Sequence, residues 1–561
     1  MAPRFSRTIL AFCFLLSSVG AIPSQGTFIG ITACSTNFSQ NMTEMTLPQC
    51  YSLCGTGWAS YDKWDALTSI LTWVVPLFVL VGNMHFSHFD VAIYKKHPNQ
   101  RWWYAARRVV VNDSRSLLFN YAFVILHVLA DPIDTIWSLL DKLAFARETK
   151  AYIHQQIRYL SRPKLPTVTA KGTITISLHR LPTHPSAPNP QPPKLTPRNL
   201  QNLQIVLFAL DDFSPSPSIP TLLHLLHHPT LPSHHREKLL DTLTHTATLL
   251  SQTRIKSARR AALAVIAYAY PLFTSVASGA AASSTPLHFP HTIALRELYY
   301  WLIPTIALSS AAGAWPTEKI AEVALLPLVR EVNRVAREMG MKGEKMVLEP
   351  LRPWGGAVYT WRPGKRVRCW GEVGMLGSAL AVVAGAWGFS FAMSVVTPTQ
   401  GLGCRAVTEV GYFAAWCLSC AGTWWVCWWW DRERGWGETW GEGFEERNVR
   451  ARRLFIMVLV KDAVFAVPMT LILFLAFKGW WNSCDCWSAR WSLGFTKARV
   501  PLGLAGWEKQ HDYLYYALIG GALGFQVLAA VGMVGWNWGV LRLIYGDEAD
   551  ENRVGISKGK A

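Results

Sequence analysis

Residues 116–145, "SLLFNYAFVILHVLADPIDTIWSLLDKLAF", decide how this chain is read. The stretch opens as an apolar helix and then places Asp131, Pro132 and Asp134 where a membrane span would have its far half. Ser116 to Ala130 supplies only fifteen mostly apolar residues, short of the roughly 20 that a span needs. Extending it buries two aspartates at about 2.5–3.5 kcal/mol each, and apolar side chains return only about 0.3–0.6 kcal/mol apiece. Basic residues flank it on both sides: Arg107, Arg108 and Arg115 before, Lys142, Arg147 and Lys150 after. The expectation is two helical pieces, 116–130 and 133–145, broken at Pro132 and lying in, or re-entering, the cytoplasmic interface. A rival lets 116–138 cross and demotes 298–314.

The surrounding composition is that of a membrane protein. Half of the 561 residues are apolar, 16% are charged and 27 are tryptophan, a ring that suits the boundary between hydrocarbon and water. The formal charge of +18 is assigned to cytoplasmic loops rather than to nucleic acid. Arg4 and Arg7, the apolar run Ile9 to Leu16 and Val19-Gly20-Ala21 make a signal peptide over 1–21. Asn37 and Asn41 follow as glycosylation sequons.

Seven runs qualify as spans: 66–81, 261–279, 298–314, 373–396, 407–430, 454–477 and 513–536. With the N-terminus outside, the inner loop 315–372 carries eleven Lys or Arg residues and 281–295 on the other side carries none. The fold class expected is thus an all-α polytopic membrane protein of about seven transmembrane helices, N-terminus outside, C-terminus inside, with a long partly disordered cytoplasmic loop. Its parts are the signal peptide, a lumenal or extracellular Cys-bearing segment over 22–64, a first transmembrane helix over 65–84, a basic cytoplasmic region over 85–259, a six-helix region over 260–545 and a cytoplasmic tail over 546–561. The 85–259 region holds the interfacial helices 116–145, a Pro-rich linker over 162–198 and one or two short helices within 221–251. The expected location is a secretory-pathway membrane, plasma membrane or endomembrane.

Cys34, Cys50, Cys54, Cys404, Cys484 and Cys486 all fall on the outer face, an even number in an oxidising compartment. Fifteen pairings are open, and a bond from the N-terminal segment to loop 478–512 would clamp the outer face onto the bundle. Cys417, Cys420 and Cys427 read as buried small apolar residues. The histidine-rich tract from His224 to His245 reads as a solvated loop, and no metal or cofactor site is expected.

Lys461 and Asp462 interrupt the sixth run. Ionisable residues in a span point to function by default. However, Lys461 is near enough to the inner edge to snorkel, and adjacent helical residues point about 100° apart and do not share one partner. Glu409 looks mismatched in depth as a partner. In outline the chain resembles a seven-helix receptor, and Asp431-Arg432-Glu433 is similar to the acidic-Arg motif of that family. Here the motif follows the fifth span instead of the third, the last span has no Asn-Pro-x-x-Tyr, and no family is recognised. Three function classes remain. The first is a receptor-like or scaffold protein binding a cytoplasmic partner through 146–259. The second is a transporter or channel using Lys461, Asp462 and 116–138. The third is a lipid-modifying enzyme with His127 and Asp131 as an acid–base pair. Beyond the lipid bilayer and that protein partner, none is expected.

Overall fold

The computed structural model describes residues 44–54, 70–82, 124–160, 196–210, 231–253, 261–270, 288–313, 318–340, 369–397, 400–433, 444–481, 483–501 and 507–537, with a few single residues between them. The signal peptide, Asn37, Asn41, Cys34 and most of the Pro-rich linker lie outside the described residues.

In chain order, strand β1 (Glu44–Thr46) leads into α1 (Leu47–Cys54), and a π-helical turn (Ile70–Val74) leads into α2 (Val75–Gly82). Next come α3 (Pro132–Leu160), α4 (Pro197–Leu210), α5 (Ser233–Thr253) and α6 (Ala261–Tyr270). They are followed by α7 (His288–Glu297), α8 (Leu302–Ala312), α9 (Glu318–Glu338) and α10 (Cys369–Val396). The chain closes with α11 (Cys404–Glu433), α12 (Phe444–Phe477), α13 (Arg490–Lys497), β2 (Arg499–Pro501) and α14 (Trp507–Trp536).

These elements fall into two compact units. One holds residues up to 142, 255–314 and 353–538, and the other holds 143–254, 315–352 and the C-terminal residues. The boundary lies within α3.

In the first unit, among the described residues, three helices are long and apolar enough to cross a membrane: Val373–Val396, Ile456–Ala476 and Tyr513–Trp536. The expectation of seven is corrected to these three. Helices α2, α6 and α8 are described over only 8, 10 and 11 residues. Helix α11 has 30 residues, about 45 Å of rise, but its tryptophans, serines and threonines make it less apolar. Helix α12 is built inside out compared with a soluble helix. Val460, Val464, Val467 and Leu471 are exposed along one stripe, while Asp462 is buried on the other side, the distribution expected when the surrounding solvent is lipid. Helices α10 and α14 pack through reciprocal Gly–Phe contacts. A Cβ on Gly385 would strike the Phe525 ring, and one on Gly521 would meet Phe389 at 2.9 Å.

Segment 124–145 differs from its expected surface position. A helix lying in an interface exposes one face, whereas Val128, Leu129, Ala130, Ile133, Ile136, Leu139 and Leu143 are all buried here. The polar residues between them are buried too, so the segment is enclosed on all sides by protein.

Stretches expected on one side of the membrane fold together. Among those expected outside, β1 pairs antiparallel with β2, Met45 opposite Val500. Disulfides Cys50–Cys484 and Cys404–Cys486 tie α1 and the start of α11 to the 478–512 region. Met45, Leu47, Trp487, Ala498 and Val500 close a small core around them. Among the stretches expected inside, α4, α5 and α9 make up the second unit. Leu203, Leu207, Leu239, Leu243, Leu325, Leu328 and Val332 share its core. Ala321, Leu325, Leu328, Val332 and Val335 recur at helical spacing and bury one face of α9.

Candidate functional site

The site begins at the break in the opening stretch. Asp131 stands just before α3 as its N-cap, with Pro132 in the first helical position, where its missing N–H costs nothing. The Asp131 Oδ1 accepts from the Asp134 amide at 3.0 Å. The helical path before the break is kept by the Asp131 amide donating to the His127 carbonyl at 2.8 Å. Capping uses one carboxylate oxygen and leaves Oδ2 free to face the bundle.

That second oxygen is where distant parts of the chain meet. Lys461 Nζ on α12 donates to Asp131 Oδ2 at 2.9 Å, and Thr423 Oγ1 on α11 donates to the same atom at 2.6 Å. Lys461 Nζ also reaches Ser419 Oγ at 2.9 Å, Thr423 Oγ1 at 2.6 Å and Asp462 Oδ1 at 2.9 Å. Asp462 Oδ2 lies 3.0 Å from His127 Nδ1, and His127 Nε2 lies 3.2 Å from Asp134 Oδ2. Trp416 Nε1 closes the outer end of the group by donating to the Leu129 carbonyl at 3.0 Å.

The 100° offset between Lys461 and Asp462 thus has a different consequence from the one expected. The two side chains do not converge on one group of another helix but serve successive partners on the 124–134 segment, Asp131 for Lys461 and His127 for Asp462. Lys461 does not snorkel, because its ammonium is held in this network with its side chain 10% exposed. Glu409 is not its partner. Its carboxylate accepts from Ser394 Oγ at 2.5 Å, ten residues or about 15 Å of helix from Ser419.

An imidazole with a carboxylate on each nitrogen donates to both only as the imidazolium. In that form His127 and Lys461 supply two positive charges against the three carboxylates of Asp131, Asp134 and Asp462. Such a centre balances within one proton, and moving that proton or an admitted cation changes its net charge. The two ring nitrogens of His127 face Asp134 and Asp462, and His127 and Asp131 are within electrostatic reach of each other.

Ser419 and Thr423 are members of the site that sequence reading missed. The available signal was spacing, since Glu409, Tyr412, Trp416, Ser419 and Thr423 recur every three or four residues and all are buried. Cys417 and Cys420 are reduced. Among the described residues, no three His, Cys, Asp or Glu side chains are grouped to hold a metal. Cys54 lies in α1 beside the clamped Cys50.

No family model, no curated protein and no solved structure matches this chain. What the fold defines is a mostly helical protein with three long apolar helices as candidate membrane spans and two disulfides on one face of its first unit.

Proposed function

We propose that this chain is an integral membrane transport protein for protons or small cations, with the His127–Asp131–Asp134–Lys461–Asp462 network as its charge-carrying centre. One observation carries the reading: five ionisable side chains from two segments more than 300 residues apart meet in the interior of a helical bundle, with Asp131 and His127 fully enclosed. Burying charge is costly, and a ring of apolar side chains would serve packing alone equally well or better. A centre of this kind inside lipid points to moving charge.

The orientation fits a path. The disulfide at Cys404 marks the outer end of α11. Leu129 meets Trp416 and Asp131 meets Thr423 further along the same helix, an order that supports 124–142 entering from the outer side and running inward beside α11. Run in that direction, the segment is not the outward crossing weighed from the sequence, but it likewise makes Asp131 and Asp134 intramembrane acids. An outside N-terminus is supported by the same disulfides, which form in an oxidising compartment.

The test is flux. The purified chain is reconstituted in liposomes loaded with a pH-sensitive dye, and a potassium diffusion potential is imposed. Wild type is expected to acidify the lumen faster than empty liposomes, and Lys461→Met and Asp131→Asn to lose this at equal protein content. Flux at the rate of empty liposomes, or flux unaltered in both variants, overturns the proposal. A second reading, a scaffold with a partner-binding inner region, is favoured by the self-contained core of α4, α5 and α9. It would gain if a defined partner bound that unit while both variants remained fully functional.

A further inference from the structure

A second acidic pair lies nearer the disulfide-bearing end. Glu297 ends α7 and Glu409 lies in the second turn of α11; both are enclosed by protein. Neither Glu297 oxygen has a hydrogen-bond partner among the described residues, and Oε2 of Glu409 has none either. The two carboxyls are close enough to act on each other electrostatically. Ser390 of α10 does not relieve Glu297, since its hydroxyl donates to the Ala294 carbonyl, one turn earlier, at 2.7 Å. The Tyr300 hydroxyl, also buried and unpartnered, lies within electrostatic reach of Glu297.

The remaining ionisable groups around the pair are few. Tyr268 lies near Glu297, and Arg405 lies one turn before Glu409 with its guanidinium 3.8 Å over the Trp487 ring. Arg296, next to Glu297 in sequence, turns its guanidinium over Tyr268 at 4.4 Å. Helix α10 contributes Ser390 and Ser394 and no ionisable side chain over 373–396. Two enclosed carboxylates with Ser394 as their one hydrogen-bond donor among the described residues could not both remain charged, because an unpaired buried charge is far costlier than a neutral acid.

We propose that Glu297 and Glu409 form a proton-binding site on the outer side of the central network, loading protons that the network passes on. The assignment of the proton as cargo rests on the transport reading above; the protonated state of the pair does not. Placement supports the link, because Glu409, Tyr412, Trp416, Ser419 and Thr423 lie on one buried face of α11, from this pair to the oxygen of Asp131.

The test is infrared spectroscopy of the full-length protein in lipid nanodiscs at neutral pH. Wild type is expected to show a protonated-carboxyl carbonyl band that shifts in heavy water, and Glu297→Gln and Glu409→Gln each to lose part of it. Glutamine mimics the neutral acid, so both variants are expected to keep their folded yield; if one does not, the other single variant still reads the band. An absent band, or a band unchanged in the variants, overturns the proposal. A band lost as expected together with no flux in liposomes keeps the site and removes the transport reading. Flux that depends on Lys461 without such a band does the reverse.

Discussion

Two parts of this molecule are built from the same classes of side chain and differ in their surroundings. In the second unit, Glu331, Arg334, Glu338, Lys238 and His235 make a network of carboxylates, cations and an imidazole. Arg334 bridges Glu331 at 2.5 Å and Glu338 at 2.7 Å, and His235 lies 3.3 Å from Glu338. In the first unit, Lys461, Asp131, Asp462, His127 and Asp134 draw on the same classes, with three carboxylates to one lysine and an imidazole, and all but Lys461, which is 10% exposed, are buried. In the first network Arg334, Glu338 and Lys238 are 32%, 46% and 62% exposed and can exchange a partner for solvent, although Glu331 at their centre is itself buried. The second has no such exchange. The difference teaches that the list of residues does not make a candidate site; the absence of an alternative partner does.

The contrast is sharpest in what substitution does. Lys461→Met removes the cation between Asp131 and Asp462 and is expected to cost about 3–5 kcal/mol, the usual penalty for leaving buried charge unpaired. Thermal unfolding in detergent reads this directly, and a loss under about 1 kcal/mol would place the network in contact with water. Of similar size, Leu243→Ala is expected to cost about 2–5 kcal/mol through the cavity it leaves in the core of α4, α5 and α9. Cys484→Ser frees the α1 segment from the outer face and is expected to cost about 2–5 kcal/mol. It should also make residues 44–54 sensitive to protease, while leaving α5 and α9 as resistant as before.

The smallest effects belong to the surface network. Glu338→Gln is expected to cost under about 1 kcal/mol and to lose even that at high salt, as exposed ion pairs do. The hydrogen bond from Arg334 and the nearby positive charges of Arg334 and Lys238 hold the Glu331 carboxyl below its ordinary range. A depressed carboxylate stabilises the fold at pH above its unfolded value, about 4.3, and loses that contribution as pH falls through the lower folded value. A stability profile from pH 7 to pH 2 should therefore show a small acid-side decrease that Glu331→Gln removes. A decrease of several kcal/mol there would break the comparison.

How far the sequence carried the reading depended on whether a signal was local. The apolar runs that become α10, α12 and α14 were legible, because an uninterrupted greasy stretch needs no partner to identify it. Every ionisable member of the buried network was legible as an unusual residue as well. Their meeting was not, since nothing in local periodicity links residue 131 with residue 461, and the depth of each helix is set by packing. For Asp131 the sequence shows a cost in a span and a histidine one turn away, while its N-cap geometry before Pro132 shows how one oxygen is committed to the backbone and the other to Lys461. Helix α9 was hidden for the opposite reason, as Glu331, Arg334 and Glu338 on its wet face obscured the apolar spacing on its buried one. Of the six cysteines expected on one face, Cys50, Cys404, Cys484 and Cys486 pair with one another. The pairing of Cys50 with Cys484 depends on the register of β1 against β2.

The central claim is that Lys461 and Asp131 neutralise each other out of reach of water. A double-mutant cycle on unfolding tests it most directly, with Lys461→Met, Asp131→Asn and the two combined. The account predicts that each single change destabilises strongly and that the double variant recovers part of the loss, a favourable coupling of about 0.5–3 kcal/mol. Strictly additive losses would contradict it, since Lys461 and Asp131 would then each act without the other.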